Sequence, residues 1–80
     1  MGFFVYVLKS KKDGHLYKGM SEDIDKRLKT HNSGKVRSTK GYRPWEIVYS
    51  EQFDTLEQAR EREKFLKSGH GRIFLKSKGL

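Results

Sequence analysis

The sequence predicts a mixed α/β (α+β) fold with the element order ββαβα(α), and three observations predict it. A β-branched and aromatic run near the amino end leads through an Asp-Gly turn into a second short strand. Two later segments combine helix-capping residues with apolar side chains at helical spacing. A third strand pattern starts directly after Pro44, the chain's single proline.

Phe3–Leu8 carries apolar or aromatic residues on both alternate faces, the pattern of a central strand covered on both sides. Asp13-Gly14 is a turn signal, and His15–Met20 reads as an antiparallel partner, so the two make a hairpin. Ser21 is the expected cap of the first helix. Glu22, Asp23 and Asp25 crowd its first turn, where the dipole favours anions, and Ile24 and Leu28 supply its apolar contacts. Asn32-Ser33-Gly34 suits a left-handed carboxyl-terminal cap. A basic loop with Lys35, Arg37, Lys40 and Arg43 follows, then the strand Trp45–Tyr49. Thr55 and Gln58 have capping-box spacing, and a second helix runs to about Lys67. Ser68–Gly71 breaks it, and Arg72–Lys78 forms a short final helix. With no repeat and no linker, residues 1–80 read as one domain with a modest core.

Composition narrows the function. The absence of cysteine excludes disulfides, thiolate nucleophiles and zinc–thiolate sites. No apolar run approaches the roughly 20 residues of a membrane span, and no signal-peptide pattern opens the chain, so the expected compartment is the cytoplasm. Eighteen Lys and Arg against ten Asp and Glu give a formal net charge of +8. Such an excess attracts phosphate-rich partners before any specific contact forms. No helix has a lipid-seeking face, so the expected partner is nucleic acid rather than a membrane.

Glu63 is out of place. Leu56, Ala59, Glu63 and Leu66 recur at helical spacing, which puts a carboxylate in the apolar stripe of the second helix. Spacing alone allows either a salt bridge to a neighbouring cation or a metal-ligating or acid–base role. Asp23, Arg27 and His31 stand at successive i,i+4 positions. They describe a solvated charge ladder, or else a phosphate-binding guanidinium beside a titratable imidazole. Tyr6, flanked on its strand face by Phe4 and Leu8, is equally a core tyrosine whose hydroxyl has found a partner.

Taken together, Phe4-Val5-Tyr6, Tyr17-Lys18-Gly19, Arg27, His31-Asn32-Ser33-Gly34, Arg43-Pro44-Trp45 and Glu63 resemble the GIY-YIG nuclease domain in order and spacing, over almost the whole chain. The likeness is to its compact stand-alone branch. It implies a three-stranded antiparallel sheet flanked by helices, with a shallow site on one sheet face. It implies metal-dependent endonucleolytic cleavage of DNA, with Glu63 holding a single divalent ion (magnesium or manganese). Tyr6 or Tyr17 would deprotonate and position the attacking water, Arg27 would clamp the phosphate, and His31 would relay a proton or contact phosphate. Lys18, Lys35, Arg37, Lys40 and Arg43 would contact the nucleic-acid backbone. Phe4-Val5 stands for Gly-Ile, Met20 for a small or polar residue, and Lys18 for an apolar residue. A lysine there either snorkels to solvent or sits beside the phosphate path. With a hairpin loop centred near Lys11-Lys12, Tyr6 and Tyr17 face each other directly; a two-residue turn at Asp13-Gly14 would separate them. The wider loop is expected.

The leading expectation is therefore a monomeric endonuclease, selective for DNA structure rather than sequence, in repair or recombination. DNA ranks ahead of RNA as substrate. One alternative is a module of the same fold that grips DNA or RNA without cutting. Another is an interaction protein recruited to a repair complex. No inserted recognition helix or zinc finger supplies sequence reading.

Overall fold

The computed structural model describes residues 2–80. Strand β1 (Phe3–Ser10) lies between β2 (Leu16–Ser21) and β3 (Trp45–Phe53) in an antiparallel sheet of order β2-β1-β3. Helix α1 (Ile24–Asn32) covers one face, and α2 (Leu56–Lys67) and α3 (Gly69–Ser77) cover the other. A single turn of 3-10 helix, Lys40–Tyr42, sits inside the basic loop. The expected fold class holds, and β1 is the central strand its two-sided apolar pattern requires.

Alternation along β1 divides the core. Val5 and Val7 face α2 and α3 and pack with Ala59, Leu66 and Leu75. Tyr6 and Leu8 face α1 and pack with Trp45, Tyr17, Ile24 and Leu28. A register shift between Val7 and Leu8 pairs Val7 with Tyr49 but Leu8 with Ile47. This bulge inserts Val48 and keeps Ile47 and Trp45 on the α1 side.

Four local expectations change. The hairpin register places Tyr6 opposite Gly19 and Leu8 opposite Tyr17, because the reversal spans Lys11 to Gly14 and closes on the Ser10 amide bonded to the His15 carbonyl. Tyr6 and Tyr17 are thus diagonal neighbours on one face rather than direct partners. Asp23, not Ser21, caps α1: its side chain accepts from the Lys26 amide, while Ser21 ends β2 and bonds the Asp23 backbone. Helix α3 begins at Gly69, since Ser68 alone ends α2 and caps α3 by accepting from the Gly71 amide. Leu56 is 40% exposed, so the buried stripe of α2 starts at Ala59. The expected ends of α1 and α2 hold, and Gly34 after α1 has a φ of +84°.

Candidate active site

The α1 face of the sheet gathers polar groups that a small core does not bury without partners. His31, in the last turn of α1, is 0% exposed, and Tyr6 is 2% exposed. The Tyr6 hydroxyl lies 3.2 Å from His31 Nε2, and His31 Nδ1 lies 2.9 Å from Thr39 Oγ1. Thr39 is itself buried, and its hydroxyl donates to the Val36 carbonyl at 3.4 Å. A hydroxyl that has spent its proton accepts from Nδ1–H, so His31 Nε2 is left as the acceptor for the Tyr6 hydroxyl. The chain Tyr6–His31–Thr39 therefore runs in one direction, toward the loop.

Burial, and next the nearby charge of Arg27, push the His31 pKa below its ordinary value. Neutral imidazole is thus the resting form. A histidine with a lowered folded-state pKa stabilises the fold fully above about pH 6.5, its unfolded value, and that contribution is lost as pH falls through the window below. Urea denaturation at pH 7.5 and at successively lower pH is expected to show stability declining by up to about 1.4 kcal/mol per pH unit from this group. The decline should be shallower in His31→Gln. Equal pH dependence in both proteins would rule out a buried neutral His31.

Around this chain stand the groups that reach solvent. Tyr17 is half-buried, its ring 4.8 Å from His31 and 6.4 Å from Tyr6. Burial raises the Tyr6 pKa above its usual value of 10. Arg27 opposes that by a hydrogen bond and by its charge, whereas Tyr17 and Glu63 reinforce it. Arg27 and Glu63 thus both bear on the Tyr6 hydroxyl from separate helices. Gly19 makes this convergence possible: a Cβ there would come within 2.7 Å of the Tyr6 hydroxyl and 3.1 Å of Tyr17 Cε2.

The row Asp23, Arg27, His31 is not a solvated ladder. Asp23 caps the helix in solvent, Arg27 is half-buried and His31 is enclosed, so the row runs from surface to core. Two residues without an expected role hold the site in place. Asn32 brackets the start of β3, accepting from the Trp45 amide at 2.7 Å and donating to its carbonyl at 3.1 Å. Thr39 fixes His31, and its carbonyl accepts from Trp45 Nε1 at 2.9 Å. Asn32 lay within the recognised motif; Thr39, one hydroxyl in a basic loop, gave no signal.

The expected backbone-contact residues separate. Lys35, Arg37, Lys40 and Arg43 are exposed on the loop that packs beside α1. Arg43 also braces that loop by donating Nε–H to the Lys40 carbonyl at 2.8 Å. Lys18 pairs with Val7, so its side chain leaves the opposite face, away from the tyrosines.

Glu63 is half-buried, and its ion pair is a 3.8 Å contact with Lys67 one turn on. Glu51, by contrast, is clamped by Arg62 at 2.7 Å, and Arg62 also stacks on Phe65 and Phe74. Among the described residues no group of three or more His, Asp or Glu could cage a metal. A magnesium-type ion needs no cage: one carboxylate, several waters and a substrate phosphate satisfy it. Glu63 close to a phosphate-binding arginine fits that donor set, and it does not fit zinc or calcium.

Comparison with known proteins decides the family. The description "GIY-YIG catalytic domain" matches residues 2–77. This chain belongs to the GIY-YIG family. It is 44% identical over 66 residues to the UPF0213 protein SSP2268 of Staphylococcus saprophyticus, covering 81% of this chain and 79% of that protein. It is 43% identical over 65 residues to the UPF0213 protein YazA of Bacillus subtilis, covering 80% of this chain but 65% of YazA. The solution NMR structure of the UPF0213 protein BH0048 from Bacillus halodurans superposes with a TM-score of 0.58 at 36% identity, over 96% of this chain and 84% of that one. The GIY-YIG family is one of nucleases, whose substrates are nucleic acids and which generally use divalent metal ions. No helix among the described residues is long and apolar enough to cross a membrane.

Proposed function

We propose that this protein is a metal-dependent endonuclease that hydrolyses DNA phosphodiester bonds, selecting DNA structure rather than sequence. The observation that carries the reading is the buried Tyr6–His31–Thr39 chain, set where Arg27 and Glu63 both act on its outer end. Replacing such a polar chain with apolar residues of like shape would satisfy a small core equally well, so its presence favours a chemical role.

The half-buried Tyr17 positions the attacking water beside the Tyr6 hydroxyl. As the water oxygen bonds to phosphorus and the phosphorus–oxygen bond to the leaving group breaks, the water proton passes to the Tyr6 oxygen. The Tyr6 proton moves to His31 Nε2, which is free to take it because Nδ1–H is held by Thr39. Two proton shifts avoid a free phenolate, which burial disfavours. The Arg27 guanidinium neutralises charge building on the phosphate oxygens and, by the same charge, returns imidazolium to neutrality after each cycle. A divalent cation held through Glu63 would supply charge neutralisation at the leaving oxygen. Lys35, Arg37, Lys40 and Arg43 hold the backbone without reading bases. Repair or recombination is the setting that suits such selectivity.

Labelled plasmid and flapped duplexes incubated with magnesium, with manganese or with chelator test the reading. Strand cleavage that requires the metal is expected. Equal retention of DNA under all conditions, with no cleavage, would replace the enzyme with a binding module of the same fold.

A further inference from the structure

The sheet face turned away from the tyrosines carries a second cationic feature. Lys18 emerges there and, with Leu16, Arg72, Leu75, Lys76 and Leu80, lines a half-enclosed cavity of about 220 Å³ between β2 and α3. Leucines form its floor, and three cations form its rim. Among the described residues none of the three takes part in an ion pair. They crowd one another instead: burial, then the charges of Arg72 and Lys67, lower the Lys18 pKa. Like charges gathered without an anion disfavour each other, and a bound anion relieves that repulsion. The apolar floor lowers the local dielectric and strengthens any ion pair made there.

We infer that this cavity is a second phosphate-binding site, which takes a backbone phosphate from a nucleic-acid arm other than the one lying on the Tyr17–Arg27 face. The inference rests on the nuclease reading for its ligand and names the substrate class of that reading. The two sites open on opposite faces of one sheet. A straight duplex on the first face turns away from the second, whereas a flap, fork or junction sends an arm around the β2 edge. A lipid headgroup is the weaker occupant, because Ile73 is the one large apolar side chain exposed on α3 and a membrane-seeking helix needs a continuous apolar face.

The test uses Arg72→Ala/Lys76→Ala, which alters two exposed side chains, and Lys18→Met, which keeps the packing on the sheet. Thermal melting establishes that each is folded. Fluorescence anisotropy then measures binding to a flapped duplex and to a linear duplex of equal length, in chelator, over a series of salt concentrations. For the double variant, affinity for the flapped duplex is expected to fall about tenfold, and its salt slope by about two, one per lost phosphate contact. Lys18→Met should move the same way by about half as much in slope. Linear-duplex binding should be unchanged. Equal losses on both DNAs, or no loss on the flapped one, would overturn the second site. Loss of binding to vesicles containing phosphatidylserine, with DNA binding intact, would overturn it in favour of a lipid headgroup. Because no metal is present, these readouts do not depend on cleavage. Failure of the wild type to cut any DNA, alongside a flap-specific loss, would remove the nuclease reading and leave the second site standing.

Discussion

Glu63→Gln is expected to lower single-turnover DNA cleavage by about 10²- to 10³-fold while barely moving the melting temperature. Glutamine matches the size of glutamate, so packing beside Leu66 survives. The lost ion pair with Lys67 is a 3.8 Å surface contact between residues four apart on one helix. Such pairs contribute about 0.3–0.5 kcal/mol. The lost charge is another matter, because Glu63 is close enough to act on the Tyr6 hydroxyl and is not clamped as Glu51 is by Arg62. Stability and activity should therefore part company. Cleavage at the wild-type rate would reduce Glu63 to its pair with Lys67.

Gly71→Ala is expected to be the most damaging small substitution for the fold. A Cβ at Gly71 would run into the Phe65 carbonyl oxygen and the Leu66 Cα and carbonyl carbon, all of them backbone of α2. Neither helix can step back, because Ser68 alone joins them and serves as cap to both. Overpacking against fixed backbone costs about 3 kcal/mol or more. For a chain of this size that lowers the melting temperature by roughly 12 °C or more. Circular dichroism or calorimetry measures it, with Gly69→Ala as the reference. A Cβ at Gly69 meets nothing within 4 Å, so that variant should stay within about 1 kcal/mol of the wild type. A Gly71→Ala protein as stable as Gly69→Ala would contradict the close α2–α3 crossing.

The strands and helices were legible because period and punctuation agree in this chain. Two-sided apolar character marked Phe3–Leu8 as central, and Thr55 with Gln58 marked the start of α2. Where several residues could do the same job, local signals chose wrongly. Ser21 and Asp23 can both cap α1, and the cap went to the one whose carboxylate meets the Lys26 amide. The hairpin register depends on how Lys11–Gly14 folds, which no alternation pattern fixes. The diagonal arrangement of Tyr6 and Tyr17 still brings their rings to one face because the register moved by two residues, not one. Periodicity also flagged Glu63 as anomalous but could not say what surrounds it. Thr39 and the cavity under Lys18 were invisible for the same reason: each is built by contacts between segments far apart in the chain.

The central claim is that the buried polar chain performs chemistry rather than merely filling the core. Single-turnover cleavage of a flapped duplex by Tyr6→Phe tests it most directly, with DNA affinity and thermal unfolding recorded on the same preparation. Removing one hydroxyl leaves the ring in place and His31 Nε2 without its donor, at a cost in stability of about 1–2 kcal/mol. The expected result is a folded protein that binds DNA as the wild type does and cuts about 10²-fold more slowly. A folded Tyr6→Phe protein that cuts at the wild-type rate would contradict the account and return Tyr6 to the role of a core tyrosine.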